Sequence, residues 1–220
     1  VWEVPTTATE IRFGNRPVFT VNGKAIIGVP ISQEPGEAAI DFRLENRSKK
    51  EIFRVKKKNY TEQRITLTDT KMVSPPTKEL ERIRKESAAQ KAVYASFTPQ
   101  IDLSPGFIMP LEGRKTSLYG HRRFFNDVPR SPHSGLDIAA PTGTPIVAPG
   151  PGRVALRGDF YFNGKTILLD HGQGLITMYC HMSEYMVEEG EFIDQGQMLG
   201  LVGSTGRSTG PHLHWSVSLN

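Results

Sequence analysis

Short apolar runs broken by turn pairs constrain this chain more than any other feature. Val18-Phe19-Thr20-Val21 is followed by Asn22-Gly23 and then by Ala25-Ile26-Ile27-Gly28-Val29. Asn-Gly supplies the backbone a tight hairpin needs, so the two runs are expected to pair as antiparallel strands. Ala39–Leu44, Ile52–Lys56 and Arg64–Leu67 are further strand candidates, and Phe53-Arg54-Val55-Lys56 alternates apolar and charged residues as a half-buried strand does. In the second half, Val154-Ala155-Leu156, Thr166–Leu169 and Leu175–Tyr179 are separated by Asn163-Gly164 and by Gly172-Gln173-Gly174, the pattern of a β meander.

The expected fold class is therefore mainly β, with a small N-terminal β domain ending near Val73 and a second β domain over about 107–220. Between them, Pro75-Pro76-Thr77 opens a helix over about 77–95. Thr77 is its expected N-cap, and Leu80, Ile83 and Val93 form a thin apolar stripe that suits packing on one side. Thr98–Gly106, with Pro99 and Pro105, reads as a linker.

Composition excludes several classes. Hydrophobic residues make up 37% of 220, enough for a core. No run of 18 apolar residues exists, so no membrane span is expected, and Val1-Trp2-Glu3-Val4-Pro5 lacks the pattern of a signal peptide. A single cysteine, Cys180, cannot form an intramolecular disulfide. Net charge is +4, with the excess in residues 43–64, where nine Lys/Arg face three acids. Such a stretch suits either a solvated strand face or an anionic polymer. No nucleic-acid-binding signature accompanies it, and no nucleic-acid partner is expected.

All six histidines, at 121, 133, 171, 181, 212 and 214, lie in the second half. His212-Leu213-His214 precedes the alternating run Trp215–Leu219. Residues two apart on a strand share a face, so the two imidazoles point one way and suit a divalent metal, or one ligand beside one base. In His133-Ser134-Gly135-Leu136-Asp137 the flanking Pro132 and Pro141 argue for a loop entering a strand, with a tight turn at Gly135 setting the spacing. Together the two motifs supply three ligands and one spare imidazole. Three protein ligands with an open fourth position is the pattern of catalytic zinc, and the lack of a cysteine pair argues against a structural site.

These stretches carry a resemblance. Pro132–Pro145, which contains His133-Ser134-Gly135-Leu136-Asp137, is similar to the first metal motif of lysostaphin-type (LytM-like) zinc metallopeptidases. Val202–His214 is similar to their second, and Tyr179-Cys180-His181-Met182-Ser183 resembles the family's Tyr-x-His-x-Ser segment, with Cys180 where a small residue is usual. Order and spacing fit over about 107–220. Gly28-Val29-Pro30, Pro35-Gly36 and the Val55–Gln63 segment around Tyr60 resemble the accessory domain of Gram-negative members.

The resemblance implies an accessory β domain at 1–75, helix and linker at 76–106, and an antiparallel β peptidase domain at 107–220. It implies that His133, Asp137 and His214 bind one zinc per chain, with His181 and His212 as the catalytic pair. His212, sharing a strand face with His214, is favoured as general base, and His181 is expected to steady the oxyanion or assist proton transfer. The implied activity is endopeptidase cleavage of peptidoglycan, at the D-alanyl–diaminopimelate cross-link, in the periplasm or cell envelope. Rival readings are a wall-binding or hydrolase-activating module without activity, against which the complete ligand set speaks, and a glycine-bridge endopeptidase.

The remaining candidates receive structural expectations. His171 is expected at a hairpin turn, and His121 at the surface or in packing. Cys180 and His181, as strand neighbours, point to opposite faces, which argues against a cysteine peptidase and for a buried thiol. The Gly203–Gly210 stretch is expected to present His212 and to let a peptide backbone approach closely. Met178, Met182, Met186 and Met198 are expected as core filler.

Overall fold

A computed structural model of the chain describes residues 1–103 and 106–219. Ser104 and Pro105, inside the expected linker, and Asn220 lie outside the described residues. The architecture is mainly β, as expected. Its centre is a seven-stranded sheet in the spatial order Phe192–Ile193, Gly152–Phe160, Gly164–Asp170, Leu175–Met182, His212–Leu219, Leu136–Ala139, Arg114–Ser117, antiparallel at every pairing.

The middle of this sheet is covered on both faces. Ile167, Leu169, Tyr179 and Leu213 point into the larger core, where Ile138, Ile146 and Leu199 meet them. Leu168, Ile176, Met178 and Cys180 point the other way and are covered by Val93 and Tyr94. Every residue of Leu175–Met182 is buried, which explains why that run reads as continuous rather than alternating. A small sheet, Pro145–Val147, Met198–Leu201 and Glu184–Tyr185, contributes to the larger core.

The helix spans Leu80–Tyr94. The expected cap, Thr77, lies instead in a 3-10 turn, Thr77–Glu79, and no side chain caps the helix. Two consecutive prolines fix an extended entry, so the chain tightens before the α-helical pattern begins. Arg82 Nη2 donates to the Asp159 carbonyl at 2.8 Å, and Glu86 Oε2 accepts from Tyr161 N at 2.8 Å, which clamps the helix across the end of a hairpin. Its packing on one side only is as expected.

The first half forms a four-stranded sheet, Arg16–Pro17, Thr9–Phe13, Gly36–Leu44 and Arg47–Val55, and a three-stranded sheet, Trp2–Glu3, Lys24–Ile26 and Phe19–Val21. The Asn22-Gly23 hairpin is present, with φ of 49° and 71°. The basic residues of Arg47–Val55 lie on an exposed edge strand, where charge also discourages pairing with another sheet. The strands between residues 2 and 17 lie outside the expected set, although Gly14-Asn15 forms the two-residue turn between Thr9–Phe13 and Arg16–Pro17, with φ of 59° at Gly14.

Glu62–Ile65 pairs in parallel with Arg122–Phe125, which continues to Val128–Pro129. The two halves of the chain therefore share a sheet. Gln173 adds a second tie: its Oε1 accepts from Thr20 N at 3.2 Å, and its Nε2 donates to the Thr20 carbonyl at 3.0 Å.

Three local expectations need correction. Met178 and Met182 are buried, but Met186 and Met198 are 44% and 42% exposed: Met186 follows the Glu184–Tyr185 strand and Met198 opens the Met198–Leu201 strand, both outside the meander. Gly135 sits at a bend without left-handed φ; a glycine is needed there because a Cβ would come within 2.3 Å of the Trp215 carbonyl and 2.6 Å of Ser216 Oγ. The backbone approaching the Gly203–Gly210 stretch is the chain's own: a Cβ on Gly203 would meet Ser183 N at 2.5 Å, and one on Gly206 would meet Gly164 N at 2.3 Å.

Gly135→Ala should therefore overpack the junction, at a cost of about 1–3 kcal/mol and roughly 2–4 °C of melting temperature per kcal/mol. Gly210→Ala, whose Cβ would enter open space, should melt close to the parent. Differential scanning calorimetry decides; equal melting of the two variants contradicts the close-approach account.

Candidate metal centre

The metal motifs converge through strand register. Asp137 pairs directly with His214 across the antiparallel Leu136–Ala139 and His212–Leu219 strands. Leu213 is fully buried on the opposite face, as the alternation requires. His133 enters from the preceding loop, its backbone N donating to the His121 carbonyl at 2.9 Å.

His133 Nε2, Asp137 Oδ1 and His214 Nδ1 form a triangle with edges of 3.0, 3.0 and 2.8 Å. All three residues are buried. Their outer atoms are engaged elsewhere. His133 Nδ1 donates to the Leu118 carbonyl at 2.8 Å, which leaves a lone pair on Nε2. His214 Nε2 meets Ser216 Oγ at 3.0 Å; with the proton there, Nδ1 also presents a lone pair. Asp137 Oδ2 accepts from Arg123 Nη2.

Three electron-pair donors so close repel one another unless a cation lies among them. A tetrahedral centre with ligand bonds of ~2.0–2.2 Å separates its ligands by ~3.3–3.6 Å, so this cluster needs to open by less than about 1 Å. The donor set fits a divalent cation. Without a cation, a proton on the facing nitrogen of His133 or His214 takes its place: burial raises the Asp137 pKa, but hydrogen bonds and charge from these rings then outweigh it and hold the carboxyl well below its ordinary value. Burial lowers the His214 pKa against the pull of Asp137, which keeps the ring in the neutral form that ligates.

A supporting layer joins the two halves. Ser117 Oγ lies 3.0 Å from His133 Nδ1 and donates to Gln63 Oε1 at 2.9 Å. Gln63 Oε1 also accepts from Arg123 Nε at 3.1 Å. A residue of the Glu62–Ile65 strand thus braces two candidate ligands, one through Ser117 and one through Arg123.

His181 and His212 stand beside the cluster, ring centroids 4.7 Å apart, and His212 Nε2 is 4.0 Å from Asp137 Oδ1. His181 Nδ1 donates to the Thr205 carbonyl at 2.8 Å, and His212 Nδ1 to the Gly210 carbonyl at 2.8 Å. Both rings therefore turn a bare Nε2 towards the centre. His181 has φ of 63°, left-handed for a non-glycine residue, at a register shift opposite Thr166. This bulge aims the ring out of the sheet, and strain of this kind gathers at functional sites. Burial, then the neighbouring His212 and His214, push the His181 pKa down to about 3. A cleft of about 1370 Å³ opens over the centre, walled by both halves of the chain.

The other histidines lie apart from the triangle. His171 is fully buried, Nδ1 donating to the Pro151 carbonyl at 2.6 Å and Nε2 facing Thr177 Oγ1 at 2.7 Å. His121 Nδ1 lies 3.3 Å from Ser117 Oγ, beside the supporting layer. Sequence reasoning missed Ser117, Arg123, Gln63, Thr205 and Ser216. Of these, Ser216 was findable, since it shares the face of His212 and His214 at the next alternate position.

Cys180 is buried among Leu168, Ile176 and Met178, and burial pushes its thiol up to about 12. An aromatic disulfide reagent should leave the native thiol unlabelled and label it on unfolding; rapid native labelling contradicts this placement. Ser117→Ala should weaken divalent-cation affinity by roughly 10–100-fold, the usual effect of losing a partner of a ligating histidine. Gln63→Leu should shift it the same way by less. Competition with a chromophoric chelator measures both, and unchanged affinity in both removes the supporting layer from the account.

The family model for peptidase family M23 matches residues 131–220. The peptidoglycan DD-endopeptidase ShyA of Vibrio cholerae is 40% identical over 87 residues, covering 40% of this chain and 20% of that protein. The DD-carboxypeptidase/endopeptidase Mpg of Neisseria meningitidis serogroup B is 42% identical over 88 residues, again 40% of this chain and 20% of that one. The matched segment spans about a fifth of these curated relatives. A crystal structure from Pseudomonas aeruginosa, described as a peptidase M23, superposes with a TM-score of 0.77 at 39% identity, covering 95% of this chain and 82% of that one. With likeness over nearly its whole length and the family match on the segment that carries the site, the chain belongs to peptidase family M23.

Proposed function

We propose that this chain is a zinc endopeptidase that hydrolyses peptide cross-links of peptidoglycan, at the D-alanyl–diaminopimelate bond, in the periplasm or cell envelope. The observation that carries the reading is the convergence of His133 Nε2, Asp137 Oδ1 and His214 Nδ1 beneath a cleft that His181 and His212 flank. The names of the Vibrio and Neisseria relatives support the substrate class. Residues 1–75 would be an accessory domain, 76–106 a helix and linker, and 107–220 the peptidase domain.

His133, Asp137 and His214 would hold the zinc, which when bound supplies Lewis acidity at the scissile carbonyl and makes the attacking water more acidic. The chain's own residues move the protons. His181 and His212 each have Nδ1–H committed to a backbone carbonyl, so each presents an accepting Nε2 in its neutral form. Only one of two rings this close takes a charge readily. His212 shares a strand face with His214 and brings its Nε2 to 4.0 Å from Asp137 Oδ1, whereas burial and both neighbouring histidines lower the His181 pKa. His212 therefore takes the base role, accepting the water proton and returning it to the leaving amine. His181 stays neutral as a second acceptor; with no proton on Nε2 it cannot steady an oxyanion as a donor.

Incubation with defined muropeptides and mass spectrometry of the products tests the reading. Cross-linked D-alanyl–diaminopimelate peptides should be cut, and a chelator should stop the reaction. His181→Ala and His212→Ala should keep bound zinc and lose roughly 10²–10⁴-fold in turnover. Near-normal turnover in either variant removes that residue from the mechanism, and loss of zinc makes it a ligand. Zinc retention without turnover on any peptide favours the binding-module reading, and cleavage confined to glycine bridges favours the other specificity.

A further inference from the structure

Four arginines line the cleft; Arg16 reaches the Tyr94 carbonyl at 3.5 Å, and Arg123, Arg130 and Arg207 lie near one another. Arg123 is committed to Asp137. Arg130 and Arg207 carry charge that no ion pair among the described residues neutralises. Their recorded partners are neutral. Arg130 Nη2 donates to the Val73 carbonyl, and its Nε is buried without a hydrogen-bond partner. Arg207 Nη1 reaches the Met72 carbonyl at 3.4 Å.

Arg207 is also held in place. Its guanidinium lies 4.5 Å from the Phe125 ring centroid and 4.4 Å from that of Phe162. Burial, with Arg130 and Arg123 nearby, pushes its pKa down to about 10, so it remains charged at neutral pH but is poorly solvated. Two such guanidiniums side by side are favourable only when an anion joins them. Each fork keeps donors beyond the one its backbone carbonyl accepts, and a carboxylate matches that geometry.

We propose that Arg130 and Arg207 form a carboxylate subsite that grips the substrate on the leaving side of the scissile bond. This rests on the cross-link reading given above. Arg207 belongs to the loop that ends in His212 and whose Thr205 carbonyl orients His181, so the subsite is tied through one loop to both histidines that handle the leaving amine's proton. In a D-alanyl–diaminopimelate bond, the carbon bearing the leaving nitrogen also bears a carboxylate. The corresponding carbon inside a glycine bridge carries none. The arginines thus select the substrate as well as orient it.

The test uses two cross-linked peptides that differ only in whether this carboxylate is free or amidated, with the full zinc-loaded chain. The free acid should have the higher kcat/KM, by on the order of tenfold or more, as befits charge-assisted hydrogen bonds. Calorimetry with the two corresponding amine products should show the same preference in binding. Arg130→Gln and Arg207→Lys should each bring the acid-to-amide ratio towards one in both assays, with melting curves to establish that the variants fold. Equal handling of acid and amide by the parent chain overturns the subsite, and so do variants that lower both alike, since the arginines would then only hold the Met72–Val73 segment. Cleavage of both peptides equally leaves the hydrolase reading standing and removes the subsite. Arginine-dependent, acid-selective binding without cleavage does the reverse.

Discussion

The antiparallel register between Leu136–Ala139 and His212–Leu219 sets Asp137 directly across from His214, two residues 77 positions apart in the chain. A one-residue slip would turn His214 into the core and Leu213 into the cleft. Several features serve to hold that register. Leu213 and Ile138 are fully buried behind the pair, Gly135 lets the His133 loop lie against Trp215, and the continuous apolar strand Leu175–Met182 anchors His212–Leu219 from its other side. The site's convergent lone pairs are an electrostatic load that this packing must restrain in the absence of a cation.

The parts of the fold legible in the sequence were those with a local physical signal. Asn22-Gly23 and the glycine of Asn163-Gly164 mark hairpins because few other residues accept the left-handed backbone found there. His212-Leu213-His214 was readable because strand alternation fixes side-chain direction without knowledge of the partner strand. The parallel pairing of Glu62–Ile65 with Arg122–Phe125 left no such signal, since it joins segments some sixty residues apart. The roles of Gln63 and Arg123 follow from that pairing alone. Gly135 was recognised as necessary, but for a turn rather than for close approach, which only the opposing strand reveals.

The site is therefore a product of the whole chain rather than of the segment that carries the motifs. Arg123 and Ser117 precede the family-matched residues 131–220, and Gln63 lies farther back still. The cleft wall likewise draws on both halves, and Met72 and Val73 place backbone carbonyls against Arg207 and Arg130. The two halves of the chain share a sheet and a polar network, so changes in the first half reach His133 and Asp137 through hydrogen bonds as well as through sterics.

The central claim is that His133, Asp137 and His214 bind one zinc ion with no sulfur ligand. X-ray absorption at the zinc edge, on protein purified without chelator, tests it most directly. The account predicts one zinc per chain in a shell of nitrogen and oxygen at ~2.0–2.2 Å with imidazole scattering, and loss of that signal in His214→Ala. A sulfur shell near ~2.3 Å, or an unchanged spectrum in His214→Ala, contradicts it.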